Sequence, residues 1–174
     1  MFEIETAREE DIPQIRALAA EIFPRAYARI LSPEQTAYMM EMMYSRASLE
    51  SQFRSGHVYF LVRRGGTPVG YLSVEREKPD LFHLQKIYLD EKFRGMGGGK
   101  LMFEAAADFV RSKLRESGQA SALMELNVNR NNPAVGFYEK MGMRKLREGD
   151  FDIGGGFFMN DFIMGIQIRA SDFC

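Results

Sequence analysis

The chain has 174 residues, the length of one domain, with 45% apolar and 27% charged residues and a formal net charge of −1. That balance excludes nucleic acid as the main partner, because phosphate contacts need a basic excess. No apolar run approaches the ~20 residues of a membrane span, and "MFEIETAREED" is too acidic and polar for a signal peptide. The lone cysteine, Cys174, excludes a disulfide framework and fits a reducing, cytoplasmic setting. The two histidines, His57 and His83, are too few for a Cys/His zinc site, so no metal is expected.

In chain order, "FEIETA" reads as a short edge strand. "EEDIPQIRALAAEIF" places Ile12, Ile15, Leu18, Ala19 and Ile22 at helical spacing, with Asp11 near the start. "SPEQTAYMMEMMY" opens on Ser32 as N-cap, with Pro33 at the first helical position and Gln35 at capping-box spacing. Its methionines form helical stripes that read as core packing. "LESQFRSG" is a further short helix closed by Gly56. The helical period then gives way to β-branched and aromatic runs. "HVYFLVRR" and "PVGYLSVERE" are strands joined by "GGT", a hairpin signal, and "LFHLQKIYLD" is a third strand.

"KLMFEAAADFVRSKLRESG" sets Leu101, Met102, Ala105, Ala106, Phe109, Val110 and Leu114 on one face of a long helix. "ALMELNV" is a strand, and "NPAVGFYEKMG" is a helix with Pro133 in its first turn and Gly142 as its stop. "MRKLREGDFDIGGGFFMNDFIMGIQI" reads as two strands with a bend at "IGGG". No repeat or linker interrupts this order, so residues 1–174 are expected to form a single α/β (α+β) domain with a βαβ crossover in its middle.

The glycine stretch "FRGMGGGKLM" at residues 93–102 sits at the first corner of that crossover. Glycine density of this kind brings backbone close to something. A Walker loop fails twice, with Arg94 where its first glycine belongs and Leu101 where a hydroxyl should hold magnesium. A nucleotide hydrolase is disfavoured accordingly. A dinucleotide fingerprint fails at Lys100 when counted from Gly95, and at Met102 when counted from Gly97. What remains is R-x-x-G-x-G ahead of a long amphipathic helix. Unpaired N–H groups and the helix dipole at such a start suit a diphosphate, and a plain strand-to-helix corner is the other reading.

Arg94-Gly-Met-Gly-Gly-Gly99 resembles the acetyl-CoA diphosphate loop of the GNAT N-acetyltransferase superfamily. "NVNRNNPAVGFYEKMGM" matches that superfamily's second signature, N-x-x-A-x-x-F-Y-x-K-x-G-F, at Asn131, Ala134, Phe137, Tyr138, Lys140 and Gly142, with Met143 in place of the usual phenylalanine. "ILSPEQTAYMMEMMYS" and "LQKIYL" look more loosely like the bacterial and archaeal branch that includes PaiA-type polyamine acetyltransferases.

The resemblance implies a mixed, mostly antiparallel sheet of about seven strands, flanked by helices on both faces, with a parallel pair that splays around pantetheine. It implies acetyl-CoA as co-substrate, held by Arg94, Gly95, Met96, Gly97, Gly98, Gly99 and Lys100. The backbone of Ile87, Tyr88 and Leu89 would pair with the pantetheine amides, and one of those N–H groups would polarise the thioester carbonyl. Asn131 and Tyr138 would lie at the same arm, and a homodimer is common among such folds.

Acetyl transfer to an amine needs a neutral amine, a stabilised oxyanion and a protonated leaving thiolate. With the only thiol at the chain's end, direct attack in a ternary complex is expected. Tyr138 is the candidate acid, a phenol of pKa ~10 meeting a thiolate of pKa ~8.5. The glutamate that some relatives place twelve residues before this tyrosine is Leu126 here, and Glu125 should point to the opposite face. His83 and Gln85 share a strand face, where the aralkylamine branch carries two histidines. His83 is the candidate base, with a hydrogen-bonded structural histidine as the other reading, and Gln85 can hold a water.

His57 reads as structural. Tyr27, Tyr38 and Tyr44 would shape the acceptor groove, and Asp150, Asp152 and Asp161 read as exposed loop carboxylates. The acceptor implied is a small primary amine, polyamine-like. A protein N-terminus or lysine is the runner-up, and a non-catalytic acyl-CoA-binding module is the reading of another class.

Overall fold

β-Branched and aromatic runs from Val58 to Leu89 produce consecutive strands, and the helical spacings on either side produce the helices that cover them. The computed structural model describes residues 1–172, so the reading placed on Cys174 lies outside the described residues. Among the described residues the strands are β1 (Phe2–Thr6), β2 (Val58–Arg64), β3 (Thr67–Lys78), β4 (Leu81–Leu89), β5 (Ser121–Asn129), β6 (Arg144–Gly154) and β7 (Phe157–Arg169). The helices are α1 (Ile12–Tyr27), α2 (Pro33–Tyr44), α3 (Arg46–Arg54), α4 (Gly98–Ser117) and α5 (Ala134–Lys140). The strands follow the order β1-β2-β3-β4-β5-β7-β6, antiparallel except for a parallel β4–β5 step. The chain divides into two compact units, and β3, β4 and α4 each run from one unit into the other along the sequence.

The first unit holds residues 1–74 and 86–102. Gly65 and Gly66 both take positive φ, 57° and 79°, which gives the two-residue hairpin between β2 and β3 the hand that matches strand twist. In α1, Ile12, Ile15, Ala19, Ile22 and Phe23 are buried, an i, i+3/i+4 stripe. The Ser32 hydroxyl caps α2 by accepting from the Gln35 N–H, as the sequence motif predicts. Ser45 performs the same service for α3, so that helix starts three residues earlier than the apolar pattern alone suggests.

Packed against these stripes are Tyr59, Leu61 and Tyr71, each fully buried. A phenol in such a place needs a hydrogen-bond partner. The Tyr44 and Tyr71 hydroxyls supply it to each other at 2.7 Å, and their rings meet edge to face at 5.8 Å. Tyr44 therefore belongs to the core, not to the lining of a groove. Burial raises both phenol pKa values well above the ordinary value, so both hydroxyls stay neutral. Tyr44→Phe should cost about 1–3 kcal/mol by leaving the Tyr71 hydroxyl buried without this partner. In a denaturant titration the midpoint should fall while the m-value stays unchanged.

The second unit holds residues 75–85 and the chain from Phe103 onward. β5 lies at its centre, parallel to β4 over Leu81–His83 and antiparallel to β7 along its whole length. Phe82, Met124 and Leu126 are buried on one side of the strands, and Phe103, Ala106, Ala107, Val110 and Leu114 form the buried stripe of α4. That stripe is rotated from the expected one. Leu101 is exposed, and Ala105 and Phe109 are only half-buried, because Phe103 and Ala107 take the inner positions instead. β6 is the sheet's edge strand and is exposed along nearly all of its length. Its many charged residues and two register shifts are features that discourage edge-to-edge pairing.

Candidate active site

Two sets of candidate residues stand in the two units. In the first unit, β4 ends at Leu89 and the chain passes through a single 3-10 turn, Glu91–Phe93, capped by the Asp90 carboxylate accepting from the Lys92 N–H. Arg94 is extended, Gly95 and Gly97 take φ of 76° and 85°, and α4 begins at Gly98. Only glycine adopts that conformation without strain. No atom lies within 4 Å of where a Cβ would stand on Gly95 or Gly97, so the loop's outer side is open backbone. Gly98 is the reverse case. A Cβ there would meet the Phe2 ring at 2.9 Å and the Leu89 side chain at 3.0 Å, so its glycine seats the helix start against β1 and β4.

The first helical bond runs from Leu101 N–H to Gly97 O, and the amides ahead of it face out of the helix end. The first turn carries no acidic residue. Positive dipole end, open backbone, Arg94 and Lys100 together fit a diphosphate. Beside them is a shallow concavity lined by Ile22, Arg25, Ala26, Asp90, Glu91 and Arg94. Arg64 is a cation at this loop that the glycine motif does not reveal. Its guanidinium lies 5.3 Å from the centre of the Phe2 ring and 5.8 Å from that of Phe93, and it contacts the Met96 sulfur. It comes from β2, far away in sequence.

The remaining candidates of this unit lie on β4. Ile87 and Leu89 bracket Tyr88, whose hydroxyl is 3.0 Å from that of Tyr27 on α1 and whose ring contacts Tyr71 at 5.5 Å. Tyr27 is thus committed to Tyr88. Lys86 is buried, its ammonium bonded to the Gln52 side chain at 2.9 Å and lying over the rings of Tyr44 and Tyr59. Period-two alternation hides this lysine among apolar neighbours.

In the second unit, His83 and Gln85 share a face of β4, as expected. Nδ1 of His83 is 3.3 Å from Oε1 of Glu77, and the Gln85 amide donates to Oε2 of Glu75 at 2.9 Å. Glu125 is the register partner of His83 on the parallel strand β5, and paired residues point the same way. Glu125 does turn from the buried side of Leu126, and that turn brings it to His83's side. It is itself buried, with both carboxylate oxygens receiving Arg147 nitrogens at 3.1 Å. Asn127, two residues on, stands beside the His83 ring and donates to Asp161 at 3.2 Å.

Burial lowers the His83 pKa, opposed by Glu125 and Glu75, so the ring is neutral at neutral pH. Asp161 is buried on β7 rather than exposed on a loop, and burial raises its pKa. Asp150 pairs with Arg130 at 2.7 Å and Asp152 accepts from the Gly154 N–H in its own turn. Tyr138 is buried on α5. Asn131 is exposed, its N–H donating to the Asn129 side chain at 2.9 Å. His57 precedes β2, its N–H bonded to Gln52 O. Among the described residues, no group of three or more His, Cys, Asp or Glu side chains is arranged to hold a metal ion. No helix there is long and apolar enough to cross a membrane.

The model of the acetyltransferase (GNAT) family matches residues 12–143. An uncharacterized N-acetyltransferase encoded in the pepI 3′ region of Lactobacillus delbrueckii subsp. lactis is 27% identical over 155 residues, covering 84% of this chain and 86% of the relative. The crystal structure of PaiA N-acetyltransferase from Thermoplasma acidophilum in complex with coenzyme A is similar at a TM-score of 0.74, with 22% identity over 97% of this chain and 99% of that one. The ribosomal-protein-S18-alanine N-acetyltransferase of Escherichia coli is similar at 0.70, with 17% identity over 99% of this chain and 97% of that one.

Proposed function

The chain belongs to the acetyltransferase (GNAT) family and is an acetyl-CoA-dependent N-acetyltransferase, and on that premise we propose that it acetylates a small cationic amine, polyamine-like, by direct attack in a ternary complex. The observation that carries the choice of acceptor is the setting of His83. Glu75, Glu77 and Glu125 surround it, and Arg147 pairs with Glu125. Such a field favours a positively charged acceptor.

Acetyl-CoA supplies a thioester carbon that an amine can attack. The amides at the start of α4, with Arg94 and Lys100, hold the diphosphate. The backbone of Ile87, Tyr88 and Leu89 pairs with the pantetheine arm beside Asn131, and one of its N–H groups stabilises the charge that develops on the carbonyl oxygen. His83 takes the ammonium proton, directly or through a water held by Gln85. Tyr138 gives its proton to the departing thiolate. Residues 1–174 act as one catalytic domain in this reading, in a bacterial cytoplasm.

The test is an acceptor series. The kcat/KM for a polyamine should exceed that for an uncharged-tail monoamine by at least ~10-fold, and the gap should shrink with added salt. A peptide with a free N-terminus as the best acceptor would instead support protein acetylation. Acetyl-CoA binding with no turnover on any amine would support a binding module.

The pH dependence follows from His83. The ring must be neutral to accept a proton, and burial lowers its pKa, so kcat/KM should fall only as pH drops below the ordinary histidine value of ~6.5. Rate profiles of wild type and His83→Gln check this, and the variant should lose that acidic limb.

A further inference from the structure

The reading of His83 as base leaves open what holds its ring and where its charge is stabilised. β3 and β4 supply an answer in the form of two rungs. Glu77 stands beside His83 and Glu75 beside Gln85, two residues further along each strand in opposite senses, as antiparallel neighbours do. The His83 side chain is only 13% exposed while that of Glu77 is 35% exposed, so the pair runs from the interior to water.

We propose that Glu77 is the positioning residue for His83: its carboxylate beside Nδ1 keeps the proton of the neutral ring on Nδ1, leaves Nε2 to accept the amine's proton, and stabilises the imidazolium that results. This rests on the acetyl-transfer reading given above. Proton balance is simple. The ammonium loses one proton to Nε2, giving the imidazolium that Glu77 faces at Nδ1, and solvent takes the Nε2 proton afterwards, which restores the neutral Nδ1–H ring.

The groups facing the ring agree with this role. Glu75 on β3 and Glu125 on β5 favour the charged ring, as does Asn127 on β5, and Arg147 on β6 opposes it. Burial, helped by Glu75 and Glu125 and opposed by Lys78 and Arg147, raises the Glu77 pKa, while burial lowers that of His83. Sequence reading misses Glu77 because a glutamate near a strand end is ordinarily a solvated one.

Nitrogen-15 NMR of the imidazoles tests this without any acceptor. The chain has two histidines, and the His83 signal is the one lost in His83→Gln. In wild type the neutral His83 should be the Nδ1–H tautomer. Glu77→Gln keeps an acceptor but removes the charge. It should lower the His83 titration midpoint by about half a pH unit with the tautomer retained. Glu77→Ala should lower the midpoint and shift the ring toward the Nε2–H tautomer. The acidic limb of kcat/KM should move with the midpoint in both variants. Unchanged midpoint and tautomer in both would overturn the proposal, as would a midpoint that moves while the limb stays. If no amine is acetylated by wild type, the transfer reading fails, whereas the NMR titration still decides whether Glu77 holds the ring.

Discussion

Gly97→Glu is expected to weaken acetyl-CoA binding by at least ~100-fold, close to 2.7 kcal/mol. Three effects act in the same direction. A side chain at φ of 85° is strained by roughly 1–2 kcal/mol. The new side chain fills open space on the side of the loop where backbone must approach a diphosphate. Its carboxylate then puts a negative charge at the positive end of α4, where the first turn has none. Gly97→Asn separates these contributions. Asparagine tolerates positive φ better than other residues and adds no charge, so it should lose about tenfold. Calorimetric titration with acetyl-CoA reads both variants, and normal affinity in Gly97→Glu would mean the diphosphate lies elsewhere. Leu101, one turn further into the helix, is exposed, and Leu101→Ala serves as a neutral control.

Tyr138→Phe is expected to lower kcat by about 100-fold, within the range for loss of a general acid, while acetyl-CoA affinity stays within a factor of about two. The reasoning is differential. A phenol that merely packs against the sulfur contributes equally to binding and to the transition state, and its loss would appear in affinity. One that delivers a proton is felt only when the thiolate leaves. The ring of Tyr138 is buried, and phenylalanine preserves its volume and its edge contact with Phe137 at 5.4 Å. The variant should therefore fold normally. An acyl donor with a more acidic thiol should recover part of the lost rate, because such a leaving group needs the proton less. Unchanged kcat would remove Tyr138 as the acid.

How much of this is legible in the sequence depends on whether the information is local. The loop from Arg94 to Gly99 and the block from Asn131 to Gly142 are short, and their spacing alone carries the family. The Ser32 cap and the Gly65-Gly66 turn are local too, and each forms as written. The frame around His83 is not local. Glu75 and Glu77 reach it by the antiparallel register of β3 on β4. Glu125 reaches it by the parallel register of β5, and Arg147 follows from an edge strand that pairs only with β7. No one-dimensional pattern lines up four strands. The parity of β5 is legible, since Leu126 and Glu125 face opposite ways, but which face matters is set by the strand beside it. The sequence hides the place of Asp161, because the glycines before it suggest a loop, whereas β7 already begins at Phe157 and carries the carboxylate into the interior. Tyr44 reads as a lining residue, and the Tyr71 hydroxyl that claims it comes from another element altogether.

The central claim is direct transfer from acetyl-CoA to an amine with no acyl-enzyme. Initial rates measured over a grid of acetyl-CoA and polyamine concentrations, with the acceptor product identified by mass spectrometry, test it most directly. The account predicts N-acetylated polyamine formed one for one with free coenzyme A, and intersecting double-reciprocal lines. Parallel lines, the mark of a ping-pong route through a covalent intermediate, or coenzyme A release with no acetylated amine, would contradict it.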